Sequence, residues 1–209
     1  MGLRPLEFYI RKRLPQPVRR LLRALRHSFV RGLPSHSVPT ELFEDCRVCS
    51  SRSELVTKLP QESVVAEVGV LRGDFSQVIL REGRPKALHL VDFDLSEIAP
   101  VVSQDPRVSM HRGDSAETLA AFPDSFFDWI YIDADHSYEG VRRDADVAAR
   151  KVKPQGYLVF NDFAHIDQHL GAYGVHRAVS EFAVSHRWPF RWFSYDPQAL
   201  YDVALQRPS

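Results

Sequence analysis

Cysteine is scarce: the 209-residue chain has two, Cys46 and Cys49. Two thiols cannot build a disulfide framework, and a reducing, cytoplasmic setting is the expectation. Long apolar runs are lacking too. No stretch approaches the roughly 20 residues that span a bilayer, and the opening residues are too broken by Arg and Pro for the apolar centre of a signal peptide. Net charge is zero, with 27 basic and 27 acidic residues. The glycine-rich G-x-G-x-x-G turn that seats a pyrophosphate is missing as well, which disfavours a nicotinamide-dependent oxidoreductase. What is present is ordinary for a folded protein, 44% hydrophobic and 26% charged residues, enough for one α/β domain with an appendage.

The zero net charge conceals two opposed parts. Through Leu33 the chain has nine Lys or Arg against a single acid, Glu7, and the rest is acidic by the same margin of eight. Residues 1–38 therefore read as a basic arm and residues 39–209 as the main domain. Between Pro17 and Gly32 the arm has helical spacing, with Val18, Leu21, Leu22, Leu25 and Phe29 on one stripe and Arg19, Arg20, Arg23 and Arg26 elsewhere. Such a stripe packs on the main domain, joins two copies as a homodimer, or lies on an anionic membrane surface. Nucleic acid is not an expected partner, because the acidic remainder repels phosphate.

The segment Thr40 to Leu59 is predicted as one helix that carries Cys46 and Cys49. No second C-x-x-C or paired histidine accompanies them, so they read as small buried thiols and not zinc ligands. Strands and helices then alternate. Strands are predicted at Val64 to Val68, Ala87 to Phe93, Val108 to Arg112, Asp128 to Ile132 and Gly156 to Asn161. Helices are predicted at Asp74 to Arg81, Leu95 to Ser103, Ser115 to Phe122, Tyr138 to Val152 and Val175 to Trp188. This alternation means crossover connections and a doubly wound, mostly parallel α/β sheet. Two closing strands, Phe190 to Tyr195 and Ala199 to Leu205, are too close for a crossover and pair antiparallel.

Polar residues mark the end of each central strand. The first ends in E-x-G-x-x-x-G, with Glu67, Gly69 and Gly73. The second ends at Asp92, where a carboxylate can accept ribose hydroxyls. The third ends in Gly113-Asp114-Ser115, where Asp114 either caps the next helix or accepts from an adenine amino group. The fourth ends in Asp133-Ala134-Asp135-His136, the fifth in Asn161-Asp162. Ligands of such sheets bind beyond the carboxyl ends of the strands. A nucleoside with an amino-acid tail and no pyrophosphate fits this row.

The runs EVGVLRGDFS, LVDFD, GDS, YIDADHSYEGVRRD and LVFNDF resemble those of the class I S-adenosylmethionine-dependent methyltransferases. In particular they resemble small bacterial O-methyltransferases related to the metal-dependent catechol, caffeoyl-CoA and macrolide-sugar enzymes. The resemblance spans Thr40 to Leu205. It implies a Rossmann-like seven-stranded sheet whose last strand is antiparallel. It places Glu67, Gly69, Gly73, Ser76, Asp92, Asp114 and Ser115 at the cofactor, S-adenosylmethionine. It also implies a Mg²⁺ site from Asp133, Asn161 and Asp162, although the last pair stands in the order Asn-Asp where the relatives have Asp-Asn. Asp133 and His136 are then the candidates for taking a proton from a hydroxylated small molecule, with His165 a further base. The competing expectation is a non-catalytic nucleoside-binding or scaffold protein of the same fold. The segment His165 to Gly174 is the expected mobile edge of the pocket.

Overall fold

The computed structural model describes residues 15, 18, 37–164, 166–167, 171–195 and 202–209. Apart from Val18, the predicted helix of the arm lies outside the described residues, as do His165 and much of the expected mobile edge. No helix among the described residues is long and apolar enough to cross a membrane.

The segment predicted as one helix from Thr40 to Leu59 is three elements. A 3₁₀ turn at Thr40–Phe43 leads to strand β1 (Arg47–Cys49) and then helix α1 (Arg52–Lys58). Ser51 makes the break: it is extended, and its side chain accepts the Glu54 N–H to cap α1. Cys49 is buried, Cys46 is partly buried, and both are free thiols.

Next come β2 (Val64–Val68), α2 (Asp74–Val78) continued by a π turn (Ile79–Gly83), β3 (Ala87–Asp92), α3 (Pro100–Ser103), β4 (Val108–Arg112) and α4 (Ser115–Ala120). They are followed by β5 (Phe127–Ile132), α5 (Tyr138–Lys151) and β6 (Val152–Phe160). A small hairpin, β7 (Ile166–Asp167) and β8 (Gly171–Ala172), precedes α6 (Val175–His186), β9 (Phe190–Ser194) and β10 (Val203–Gln206). Helix α3 is shorter than the predicted Leu95 to Ser103, because Pro100 in its first turn holds Ala99 extended.

Among the described residues the main sheet has eight strands in the order β1-β9-β10-β6-β5-β2-β3-β4, one more than the seven predicted. The extra strand is β1, which pairs parallel with β9 at the far edge. Strands β6, β5, β2, β3 and β4 run parallel, and β10 is antiparallel to both β6 and β9, as predicted for the closing pair. Strand alternation divides the core. Ala66, Val68, Ile130, Ile132, Leu158 and Phe160 meet α5 and α6 on one face. Val65, Leu88, Leu90, Trp129, Tyr131 and Val159 meet α1, α2 and the π turn on the other. Glu67 and Tyr131 sit on this second face by the same two-residue period, and the ring of Tyr131 packs on Phe75 of α2, 4.3 Å between centroids.

His89 and His111, in register-adjacent strands, place Nδ1 and Nε2 3.0 Å apart, inside a ring cluster with Phe122, Phe126 and Phe127. Desolvation, and for His89 also the charge of His111, lowers both pKa values below the usual histidine value. The unfolded chain therefore binds more protons, and this contribution to stability is present above about pH 6.5 and lost as pH falls below it. Asp144 and Asp202, both raised to about 6 by burial, act in the opposite sense. The expected result is thus a difference: His89→Phe loses less melting temperature than wild type between pH 7.5 and 5.5, and equal losses would contradict it.

Candidate functional site

The sheet reverses direction at the ends of β2 and β5, where chain order runs outward to β4 and returns beside β2. The end of β2 is pinned to β5 on one side and to β3 on the other. Asp133 donates its N–H to the Val68 carbonyl at 2.7 Å, and Gly69 donates to Val91 at 2.9 Å. Gly69 has φ +85, and a Cβ there would lie 2.2 Å from the Asp133 carbonyl oxygen. Gly69, Leu71 and Gly73 all have positive φ, which curls the turn into α2.

That curl aims two amides at Asp92. Its Oδ2 accepts the N–H of Val70 at 2.7 Å and of Leu71 at 3.2 Å, while Oδ1 accepts from Asp94 at 3.1 Å. Three of the roughly four acceptor positions of the carboxylate are thus filled. Asp92 holds the glycine turn, and among the described residues these bonds leave one acceptor position on Oδ1. Glu67 is 1% exposed and accepts from Ser76 Oγ at 2.5 Å. Burial pushes its pKa up to about 8, more than the Ser76 bond lowers it. Asp114 acts as the N-cap of α4, accepting from Glu117, and its other oxygen takes Arg143 Nη2 at 2.7 Å. Burial opposes its charge, yet these bonds together hold its pKa below the usual carboxylate value. Ser115 donates to the buried Asp144 at 2.6 Å.

The residues expected to bind Mg²⁺ are differently engaged. Asn161 donates through Nδ2 to Asp202 at 2.9 Å and to the Tyr131 hydroxyl at 3.2 Å. Asp133 Oδ1 and Asp162 Oδ2 lie 3.3 and 3.6 Å from one buried nitrogen, His136 Nε2. That nitrogen has no well-aligned hydrogen bond, and the ring stacks on Tyr173. Burial disfavours charge on His136, but Asp133, Asp162 and the Asn161 amide outweigh it and raise its pKa. An imidazole thus fills the space between the expected ligands. Among the described residues no group of three or more His, Cys, Asp or Glu is placed to hold a metal ion. In this arrangement the carboxylates expected to hold magnesium face an imidazole nitrogen.

One cleft of about 850 Å³ runs along these strand ends, at the upper end of the usual range for ligand pockets. Glu67, Gly69, Asp92, Ser115 and Asp133 line it. Behind that wall, Ser76 supports Glu67, Asp114 holds α4, and His136 backs Asp133. Gly73 closes the turn. The cleft also has walls that motif reading does not anticipate: Arg52 of α1, Phe75, the exposed Phe93 after Asp92, and Arg143. Arg52 donates to the Tyr131 hydroxyl and lies 3.5 Å from Asp202, so α1 is tied to β5 and β10. Phe75, Phe93 and Arg143 lie within the runs EVGVLRGDFS, LVDFD and YIDADHSYEGVRRD, whereas Arg52 has no sequence signal.

Residues 66–163 match the family model described as a methyltransferase domain. Comparison with curated proteins finds no match. Among solved structures, a SAM-dependent methyltransferase from Methanosarcina mazei aligns with a TM-score of 0.56 and 13% identity, over 74% of this chain and 97% of that one. The N-methyltransferase NodS from Bradyrhizobium japonicum gives 0.56 and 14%, over 76% and 95%. An O-methyltransferase family protein from Burkholderia thailandensis gives 0.56 and 14%, over 75% of this chain and 55% of its own length. At these identities the likeness is one of fold. Residues 66–163, just under half of the chain, are thus similar to a methyltransferase domain, and the chain shares its fold with solved SAM-dependent methyltransferases.

Proposed function

We propose that the protein transfers a methyl group from S-adenosylmethionine to a hydroxyl of a small molecule. The observation that supports this best is the convergence of Glu67, Asp92 and Asp133 on one cleft at the reversal of strand order. The nucleoside lies toward β3 and β4, with ribose at Asp92, the adenine ring against Phe93 and beside Gly113 and Ser115. The amino-acid tail runs across the Gly69 turn toward Glu67. Bound S-adenosylmethionine supplies a methyl group on a sulfonium sulfur, which an acceptor oxygen displaces in line.

The residues of the chain do the rest. The curled turn sets the position of the donor and excludes water from its tail. Asp133, 26% exposed at its side chain, is the group that meets the acceptor, accepting its O–H and then its proton. His136 stands 3.3 Å behind and supports the carboxylate. No step is assigned to a metal, because its expected ligands surround His136. The test is formation of S-adenosylhomocysteine with hydroxylated acceptors and with their deoxy counterparts, each with and without a chelator. Turnover that needs the hydroxyl and survives chelation supports the reading. Methylation at nitrogen would overturn the choice of acceptor, and activity restored only by Mg²⁺ would return Asp133 and Asp162 to a ligand role.

Glu67 gives this reading a pH dependence. With its pKa at about 8, it is mostly protonated at neutral pH in the free protein. A cationic donor favours the carboxylate, so binding should release a proton, and affinity should rise from about pH 6 and level off above about 8. In the fold itself the sign is opposite: the stability Glu67 contributes is present below about pH 4.5 and lost as pH rises through about 8. Glu67→Gln should therefore flatten the pH dependence of binding without lowering the melting temperature at pH 8. An unchanged slope in calorimetric titrations of the variant would remove Glu67 from this role.

A further inference from the structure

Arg52 lies in the part of the chain where sequence reading finds no chemistry, yet it forms a wall of the cleft. Its guanidinium stacks over the ring of Phe75, 3.9 Å from the centroid, and its side chain is 35% exposed. Nη2 donates to the Tyr131 hydroxyl. The acids nearby stand farther off, Asp202 at 3.5 Å from Nε and Asp133 at 3.6 Å from Nη2. Among the described residues, its hydrogen bonds engage one nitrogen of three, and a guanidinium carries five N–H donors. The side chain is held in place by packing and still has donors to give.

Its place along the sheet decides what it faces. Its partners belong to β5 (Tyr131), the end of β5 (Asp133) and the start of β10 (Asp202), whereas the nucleoside end of the cleft lies over β3 and β4. From β4 to β5 is three strand spacings, roughly 14 Å. A nucleoside seated at Asp92 and Phe93 therefore extends its tail toward Arg52. The other basic lining residues are engaged elsewhere: Arg72 with Glu97 at 3.3 Å, and Arg143 with Asp114 at 2.7 Å. At the β5 end the remaining charged walls, Glu67, Asp133 and Asp135, are acids suited to an ammonium or a sulfonium and unsuited to a carboxylate.

We infer that Arg52 is a cofactor-binding residue, which pairs with the α-carboxylate of the amino-acid tail of S-adenosylmethionine while Glu67 faces the cationic part. The inference rests on the proposed cofactor reading and adds to it the residue that selects an intact amino-acid tail. The Tyr131–Asp202–Asn161 network below holds the guanidinium in position, so that little side-chain freedom is lost on binding.

The test is calorimetry with two ligands, S-adenosylhomocysteine and its decarboxylated analogue, on the full chain. Wild type is expected to prefer the first by about 30-fold, the range of one charge-assisted pair. In Arg52→Gln the preference should fall to about threefold or less, chiefly through weaker binding of S-adenosylhomocysteine. Arg52→Lys keeps the charge beside Asp202 and should retain part of the preference. A wild-type preference near one overturns the inference whether or not any variant folds. So does an Arg52→Gln that folds and keeps the full preference. Wild type that binds neither ligand would overturn the cofactor reading itself, which is a distinct result.

Discussion

Asp133→Ala is expected to slow methyl transfer by roughly 100- to 10,000-fold, the usual share of a positioned acid or base. The affinity for S-adenosylhomocysteine should stay within about fivefold of wild type. The two effects separate because Asp133 has two parts with different duties. Its backbone closes the strand ends, donating to Val68 at 2.7 Å, and alanine keeps that bond. Its carboxylate faces the cleft, backed by His136 at 3.3 Å and Arg52 at 3.6 Å. Removing the carboxylate leaves Arg52 beside Asp202, so the wall does not lose its only counter-charge. Single-turnover rates and calorimetry on the same preparation measure both quantities. Normal turnover would take Asp133 out of the chemistry, and a loss confined to binding would make it a cofactor ligand only.

Gly69→Ala should have the largest effect on the fold and site together. At φ +85 an L side chain is strained, and the added methyl would lie 2.2 Å from the Asp133 carbonyl oxygen, 2.5 Å from its carbon and 2.8 Å from Ala134 Cα. All three contacts are backbone, so no side-chain rotation relieves them. The ends of β2 and β5 must part, and the bond from the Asp133 N–H to the Val68 carbonyl parts with them. A loss of about 3 kcal/mol or more is expected, a fall of roughly 10 °C in melting temperature for a chain of this size. Binding of S-adenosylhomocysteine should fall below detection in calorimetry. Gly73→Ala provides the comparison, since its φ is +80 but the nearest atom to a new Cβ is a Val102 side-chain methyl at 3.3 Å. It should lose less than half as much. Equal losses for the two variants would mean that strain at positive φ, and not the clash with β5, governs the turn.

Much of the centre of this molecule is legible in its sequence for a physical reason. Buried parallel strands are short apolar runs, and VVAEV, ALHLVD and FDWIYI each stop at a polar residue where the backbone leaves the sheet. That punctuation locates the ligand edge before any coordinates exist. It does not say what each acid touches. Asp92 reads as an open ribose acceptor, yet it mostly accepts amides of its own turn. Asn161 reads as a metal donor through its oxygen, and the sequence does not show that its Nδ2 donates to Asp202, 41 residues away in the chain. Arg52 and Tyr131 are 79 residues apart, and no local period links them. The strand Arg47–Cys49 was hidden similarly, because its partner, β9, comes some 145 positions later, and three residues are too few to show alternation. Where an interaction is local the sequence shows it, as with the Asp114 cap. Where two distant segments meet, the residue types are visible and their pairing is not.

The central claim is that S-adenosylmethionine lies along the ends of β4, β3, β2 and β5. A crystal structure grown with S-adenosylhomocysteine tests it most directly. The ligand is expected over the Gly69 turn, with a ribose hydroxyl within hydrogen-bond distance of Asp92 Oδ1, the adenine ring against Phe93, and the tail between Glu67 and Arg52. Density for the ligand on another surface, or a cleft left empty at a saturating concentration, would contradict the account.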